Sequence, residues 1–323
     1  MKKTLVPVGL LSLTIILLTG CSQIDANQQL GQQQKKLRFI FISTCVDEDF
    51  FDPVKKGMRD AADIMGVECS FVGTEEVDIE AQVNMVKKAI ADGYDGIALN
   101  IIHTTAFDDV VQQAIDKGIP VVAFNVDDHS TPNARLSAIY QKCYEAGRKV
   151  AEEASSFIPD NSKILMTLHS AGVTSLDERL RGEQDVLKEK GVTWKVVVSG
   201  IEPQKCAEVI ARELKADPEI KIVLCTGQAD TEGAGLAIEK YFKGKGYATA
   251  GFDLSPEILR MLKNGTIRFT IDQQPYTQGF YPVIQLALYC RYGIMPTNMD
   301  AGAEIVTGEI ADRVLKLSKQ KYR

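Results

Sequence analysis

An α/β architecture of two doubly wound, Rossmann-like lobes is the fold class that this sequence predicts, and three observations predict it. Short apolar runs rich in β-branched residues alternate with longer amphipathic stretches. The alternation runs through the chain twice, and one late helix has no strand of its own half to return to. Continuous apolar strands separated by helices are the mark of a parallel sheet covered on both faces, because such a strand has no polar side to show.

The first half opens with an apolar strand over 37–43 and a helix over 53–65. A strand over 67–72, a helix over 79–91, a strand over 96–100, a helix over 105–116 and a strand over 120–125 complete it. The second half begins with an extended piece over 136–140 and a helix over 144–157. Strands over 163–168, 194–198, 220–226, 247–252 and 268–272 follow, separated by helices over 176–189, 206–215, 231–241 and 256–263. Ser255 before Pro256 is a natural start for the last of these helices, and Gly265 after Asn264 a natural stop. The final helix, over 276–292, is expected to pack back on the first lobe, so that the chain crosses between lobes more than once. We therefore assign 37–140 with 274–300 to an amino-terminal lobe and 141–273 with 301–323 to a carboxyl-terminal lobe. A multi-segment hinge joins them, and a ligand cleft faces the carboxyl ends of both sheets.

The amino terminus is built differently. Lys2 and Lys3 precede an apolar run from Leu5 to Leu18, and Leu18-Thr19-Gly20-Cys21 closes it. The run is too short to cross a bilayer and carries Pro7 and Gly9, so it reads as a secretory signal rather than a spanning helix. Its last four residues resemble the lipobox of bacterial lipoproteins, which implies that processing leaves Cys21 as the new amino terminus with lipid on its thiol. Residues 22–36 have almost no apolar side chains and cannot bury enough surface to offset their ordering entropy, which makes them a flexible tether. The expected location is extracytoplasmic, lipid-anchored to the cell membrane.

A net charge of -6 argues against nucleic acid as a partner, because a phosphate backbone wants a basic face. Besides Cys21, the cysteines Cys45, Cys69, Cys143, Cys206, Cys225 and Cys290 are widely spaced and form no CxxC pair. They are expected as small buried hydrophobes rather than as metal ligands or a disulfide frame. The three histidines, His103, His129 and His169, belong to no HExxH, no GxxxxGK loop exists, and Gly233-Ala234-Gly235 lacks the third glycine of a dinucleotide fingerprint. Asp47-Glu48-Asp49 precedes no glycine-centred calcium loop. The expectation is a protein without catalysis, cofactor or metal.

Five short pieces carry a more specific message: Phe50-Phe51 six residues before Gly57, the strand end at Phe124-Asn125, Arg179-Leu180-Arg181-Gly182, Gly251-Phe252-Asp253, and the run from Thr270 through Asp272-Gln273-Gln274 to Pro275. In this order they resemble the type I periplasmic-binding-protein family of the ribose and galactose type, the sugar-binding subunits of ABC importers. The resemblance extends from Leu37 to about Val314. It implies a monomer that captures a monosaccharide or sugar alcohol by hinge closure and delivers it to importer membrane subunits. A sensory receptor for a sugar-like signal such as autoinducer-2 is the alternative role for the same cleft.

Polyol chemistry suits those residue types. An aromatic ring covers the apolar C–H face of a sugar, while charged or amide side chains take neighbouring hydroxyls in short bonds. Phe50 and Phe51 resemble the family's stacking pair, unless one of them simply starts the hydrophobic face of the next helix. Asn125 stands where ribose-type members carry an aspartate followed by an arginine, and Val126 comes next, so two opposite charges are missing from the first lobe. Asp127 or Asp128 supplies a carboxylate in their place, unless Asp127-Asp128-His129-Ser130 is a solvated turn. Arg179 matches the family arginine of the second lobe, with a surface ion pair to Glu178 or Glu183 as its other reading. Asp253 is expected to accept from two adjacent hydroxyls. Gln273 lies at the crossover where the family uses an amide to bind ligand and sense closure, and Gln141 at the first crossover is a further candidate. The loop after Thr226 offers Gln228 or Asp230, and Asn100 either contacts ligand or caps the next helix.

Overall fold

The computed structural model describes residues 36–47, 49–128 and 133–323. The residues expected as a secretory signal, Cys21 expected as its lipidation site and the expected tether up to residue 35 lie outside these residues, as do Glu48, His129 and Ser130.

In the first half, β1 (Arg38–Ser43), β2 (Glu68–Gly73), β3 (Gly96–Leu99), β4 (Val121–Asn125) and β5 (Ser137–Tyr140) are joined through α1 (Phe51–Met65), α2 (Ile79–Ala91) and α3 (Asp108–Asp116). The strands pair in parallel in the order β5-β4-β3-β1-β2. The second half supplies β6 (Lys163–Leu168), β7 (Thr193–Val198), β8 (Ile222–Cys225), β9 (Ala248–Phe252) and β10 (Ile267–Asp272). They too pair in parallel, in the matching order β10-β9-β8-β6-β7. Their helices are α4 (Cys143–Ala154), α5 (Thr174–Lys188), α6 (Pro203–Ala216), α7 (Gln228–Ala237) and α8 (Pro256–Lys263). In each sheet the strand order reverses once, between β1 and β3 and between β6 and β8, which opens a crevice at the carboxyl ends of the strands.

Burial on both faces explains the apolar strands. In β1, Phe39 and Phe41 pack toward Val54 of α1, while Ile40 and Ile42 between them face Val86 and Ile90 of α2. Each such side chain contributes about 1.5–3 kcal/mol on full burial. The second lobe repeats the scheme, with Ile164 and Met166 against α4 and Leu165 against α6.

The chain end adds α9 (Pro275–Tyr292), β11 (Met299–Asp300), β12 (Glu304–Val306) and α10 (Ala311–Ser318). Helix α9 packs on α1 in the first lobe, Val283 and Leu286 joining its phenylalanine core. Strand β11 then extends the first sheet beside β5, and β12 extends the second beside β10 as its antiparallel edge. The chain therefore passes between lobes after β5, after β10 and between β11 and β12. The sequence reading missed β11, β12 and α10. It also started α7 too late: the helix begins at Gln228 because the Asp230 carboxylate accepts from the backbone N–H groups of Thr226 and Gly227, and it runs on as a π-helical turn over Ile238–Phe242. No described helix is long and apolar enough to cross a membrane.

Candidate ligand-binding site

A cavity of about 70 Å³ lies where the carboxyl ends of the two sheets face each other. Thr44, Asn100 and Asn125 reach it from the ends of β1, β3 and β4; His169, Gln228, Asp253 and Gln273 reach it from the ends of β6, β8, β9 and β10. Phe50 and Phe51 close one side, packed edge to face with centroids 5.1 Å apart. Val77, Ile102 and Val126 of one lobe and Val173 and Leu176 of the other supply apolar wall. The lobes meet beside it: the backbone N–H and the hydroxyl of Thr174 donate to the Ile102 carbonyl at 3.4 and 3.1 Å, and Val77 packs on Leu168, Val173 and Leu176.

Several of these residues hold backbone conformations that side chains resist. Cys45 (φ 52), Asn125 (φ 63), Asp253 (φ 68) and Gln274 (φ 52) are left-handed without being glycine, at a cost of order 1–3 kcal/mol each. Hydrogen bonds hold Asp253 there: its N–H donates to Ile271 O at 2.7 Å, and its carbonyl accepts from Thr270 Oγ1 at 2.8 Å. A strained strand end aims its side chain into the crevice rather than across the sheet.

The second lobe supplies the charged pair. The Arg179 guanidinium, buried on α5, donates through Nε and Nη2 to Gln141 Oε1 at 3.1 and 2.8 Å and through Nη1 to Thr226 O at 2.8 Å. It lies 4.2 Å over the Phe252 ring, and its Nη1 stands 4.0 Å from Asp253 Oδ2. Asp253 Oδ1 accepts from Gln273 Nε2 at 2.6 Å. Burial pushes the Asp253 carboxyl above the usual aspartate range, against the pull of Arg179 and Gln273. His169 is held neutral, its pKa lowered to about 4 by burial and by Arg179.

The first lobe answers with amides. Asn100 Nδ2 donates to Ser43 Oγ at 3.0 Å and to Asn125 Oδ1 at 3.1 Å. Asn100 Oδ1 is left with no hydrogen-bond partner among the described residues, and so is Gln228 Oε1 on the opposite lobe. Both belong to residues that line the cavity, and a buried acceptor without a donor costs about 1–3 kcal/mol.

Seven of the nine ligand candidates therefore come together: Phe50, Phe51, Asn125, Arg179, Gln228, Asp253 and Gln273. Two do not line the cavity. Asp127 forms an ion pair with Arg135, a partner too far along the sequence for the turn reading to anticipate. Gln141 spends its oxygen on Arg179 and donates through Nε2 to Gly302 O at 2.9 Å, so it fixes the arginine from behind. Arg179 itself makes the bonds above instead of the surface pair weighed for it. Asp230 lies under the loop, accepting from Thr167 Oγ1 as well as from two backbone N–H groups. Thr44, Cys45, His169 and Ser175 line the cavity and were not singled out; their types are ordinary, and the one signal, position just past a strand end, applies to Thr44, Cys45 and His169, whereas Ser175 lies in the first turn of α5.

Residues 39–293 match the model of the family described as a periplasmic binding protein domain. The xylose/arabinose-binding protein XylF of Sulfolobus acidocaldarius is 29% identical over 287 residues, which cover 84% of this chain and 71% of that protein. The ribose import binding protein RbsB of Bacillus subtilis is 25% identical over 278 residues, covering 84% and 88%. A solved carbohydrate transporter of Acidothermus cellulolyticus in complex with myo-inositol superposes with a TM-score of 0.79 at 26% identity, covering 89% of this chain and 100% of that one. With two matching parallel sheets, a crevice at their carboxyl ends and a family match across most of its length, the chain belongs to the periplasmic binding protein domain family.

Proposed function

We propose that this protein is the extracytoplasmic binding component of a sugar ABC importer, holding a monosaccharide or sugar alcohol between its lobes. The observation that carries the reading is the pair of orphaned buried acceptors, Asn100 Oδ1 and Gln228 Oε1, on residues that line one cavity from opposite lobes. Each asks for a donor that a ligand hydroxyl supplies. Beside them, Asp253 accepts, Arg179 donates, and Phe50 with Phe51 offers ring surface for an apolar sugar face. The arrangement favours the state in which both lobes touch the ligand, which makes binding and closure one event. The relatives, named for xylose, arabinose and ribose, and the neighbour with myo-inositol point to the same ligand class.

The test is calorimetry with D-xylose, L-arabinose, D-ribose, D-galactose and myo-inositol, together with thermal unfolding. A ligand at a thousand times its dissociation constant raises stability by about 4 kcal/mol, and a panel without any binding or shift removes the reading. The lipid anchor at Cys21 belongs to the same proposal. Intact-mass analysis of the membrane fraction is expected to find a lipidated amino-terminal cysteine, and Cys21→Ser is expected to release the protein into the soluble fraction.

A further inference from the structure

Gln278 does not line the cavity, yet it is fully buried and joins two residues that do. Its Oε1 accepts from Asn125 Nδ2 at 3.0 Å, and its Nε2 donates to Gln273 O at 2.7 Å while standing 3.3 Å from Gln273 Oε1. The bonds continue both ways. Asn125 Oδ1 accepts from Asn100, which also holds Ser43 at the end of β1, and Gln273 Nε2 donates to Asp253. One path of amides therefore runs from the first lobe, through the first turn of α9 at a crossover, to the carboxylate at the end of β9.

A methionine or leucine would fill this space without the desolvation cost of a buried amide, so the amide needs a reason. Asparagine carries a two-hydrogen donor and an acceptor that exchange places when the group turns over. With Oδ1 toward Asn100 and one N–H toward Gln278, Asn125, which lines the cavity, has a second N–H that neither neighbour takes. Turned over, it would set its nitrogen against the Asn100 nitrogen, donor to donor, and its oxygen against Gln278 Oε1, acceptor to acceptor. Two neighbours on opposite sides thus hold one orientation, and Gln278 is the one anchored at the hinge.

We propose that Gln278 is a positioning residue for ligand recognition, fixing which face of the Asn125 amide meets the ligand and tying that choice to the hinge amide of Gln273. The inference rests on the sugar-binding reading of the cavity. It makes the first lobe's preference among epimers depend on a residue that never touches the sugar.

The variants are Gln278→Met, which deletes both bonds at similar volume, and Gln278→Glu, which keeps both when protonated and loses the one to Gln273 O when ionised. Burial raises a carboxyl pKa, so the switch in Gln278→Glu falls above the ordinary range. Calorimetry on the full chain with D-xylose, L-arabinose, D-ribose and myo-inositol from pH 5 to 9, each variant taken as a ratio to wild type, cancels the titration of Asp253, Asp272 and His169. Gln278→Met is expected to bind the tightest of the four about tenfold or more weakly and to lose discrimination between D-xylose and D-ribose. Gln278→Glu is expected to lie within about threefold of wild type at pH 5 and to weaken progressively toward pH 9. Gln278→Met within twofold of wild type, or Gln278→Glu equally weakened at both ends of the range, overturns the proposal. If wild type binds none of the four sugars, the sugar reading fails and hydrogen exchange on the ligand-free chain decides for Gln278. Faster exchange in Gln278→Met at both 121–128 and 270–275 supports the positioning role; faster exchange at one or neither overturns it. Should Gln278→Met fail to fold, the Gln278→Glu profile carries the same decision.

Discussion

Arg179 and Asp253 are held mainly by neutral neighbours, the arginine by Gln141 and Thr226 and the aspartate by Gln273. With 4.0 Å between Nη1 and Oδ2, each charge keeps bonding capacity for a ligand. Because burial raises the Asp253 pKa, its carboxylate takes up a proton at a higher pH than an exposed aspartate, and its capacity to accept from hydroxyls falls as pH drops. Asp253→Asn is expected to weaken sugar binding about ten- to hundredfold at pH 7 and to remove the acid-side fall in affinity; dissociation constants from pH 4 to 8 that run parallel in the two proteins would refute this. Glu183 is a second buried carboxyl, one turn along α5 from Arg179, and neither of its oxygens has a hydrogen-bond partner among the described residues. Burial, and then Asp230, hold its pKa well above the ordinary 4.5, with Arg179 opposing. The folded state thus retains this proton where the unfolded chain has lost it. Its contribution to stability is fully present below pH 4.5 and is lost as pH rises toward the folded pKa, by about 1.4 kcal/mol per pH unit in that window. Gln at 183 cannot ionise, so urea midpoints between pH 5 and 8 should fall less steeply in Glu183→Gln, and identical slopes would rule the assignment out.

At the scale of elements, both lobes use one device to set a helix pair. A Cβ on Gly279 would lie 1.9 Å from Val54 O across α1 and α9, and one on Gly182 would lie 2.2 Å from Tyr144 O across α4 and α5. Backbone cannot yield as a side chain can, so the helices must part. Gly182→Ala is expected to cost about 1–3 kcal/mol of stability and, because Arg179 rides on the same helix, to weaken ligand binding at temperatures where the protein is still folded. Urea unfolding and calorimetry check both halves, and wild-type behaviour in both would show that the helices are not in such contact. The same elements mark what the sequence could disclose. Strands such as β1 and β6 are apolar on both faces, which is a local signal, and their ends carry the cavity residues. Strands β11 and β12 are two and three residues long, too short for any periodicity, and their place is fixed by partners far away, as where Met299 pairs with Ile139. Asp127 and Gln141 had suitable chemistry, but Arg135 and Arg179 decide where they point, and no local pattern encodes that. Ser175 comes to the cavity in the first turn of α5, through the way that helix meets the crevice, which spacing does not report.

Across the whole molecule, the lobes are joined by three chain crossings and by the residues that follow α10, which run from the second lobe onto the first. Lys321 Nζ lies 2.5 Å from Asp52 of α1, and the Tyr322 ring sits 5.2 Å from that of Tyr276 on α9, with Lys56 Nζ 4.6 Å over it. Arg323 pairs with Asp272 at the end of β10 and, at 2.6 Å, with Glu304 of β12. Exposed ion pairs contribute about 0–1 kcal/mol each, so Lys321 alone does little. Asp272 is different: its side chain is 1% exposed, and a buried carboxylate that loses its cation bears its own desolvation. Because Asp272 directly precedes Gln273, whatever loosens it also loosens the hinge amide at the cavity. Deleting 319–323 is therefore expected to shift the population toward open lobes, and apparent affinity falls in proportion to the closed fraction. Arg323→Ala should reproduce most of that effect and Lys321→Ala little of it. Small-angle scattering of the ligand-free chain should show a larger radius for the truncation, and calorimetry should find sugar binding several-fold weaker; equal effects of Lys321→Ala and Arg323→Ala, or none from the deletion, would mean that these residues only decorate the hinge.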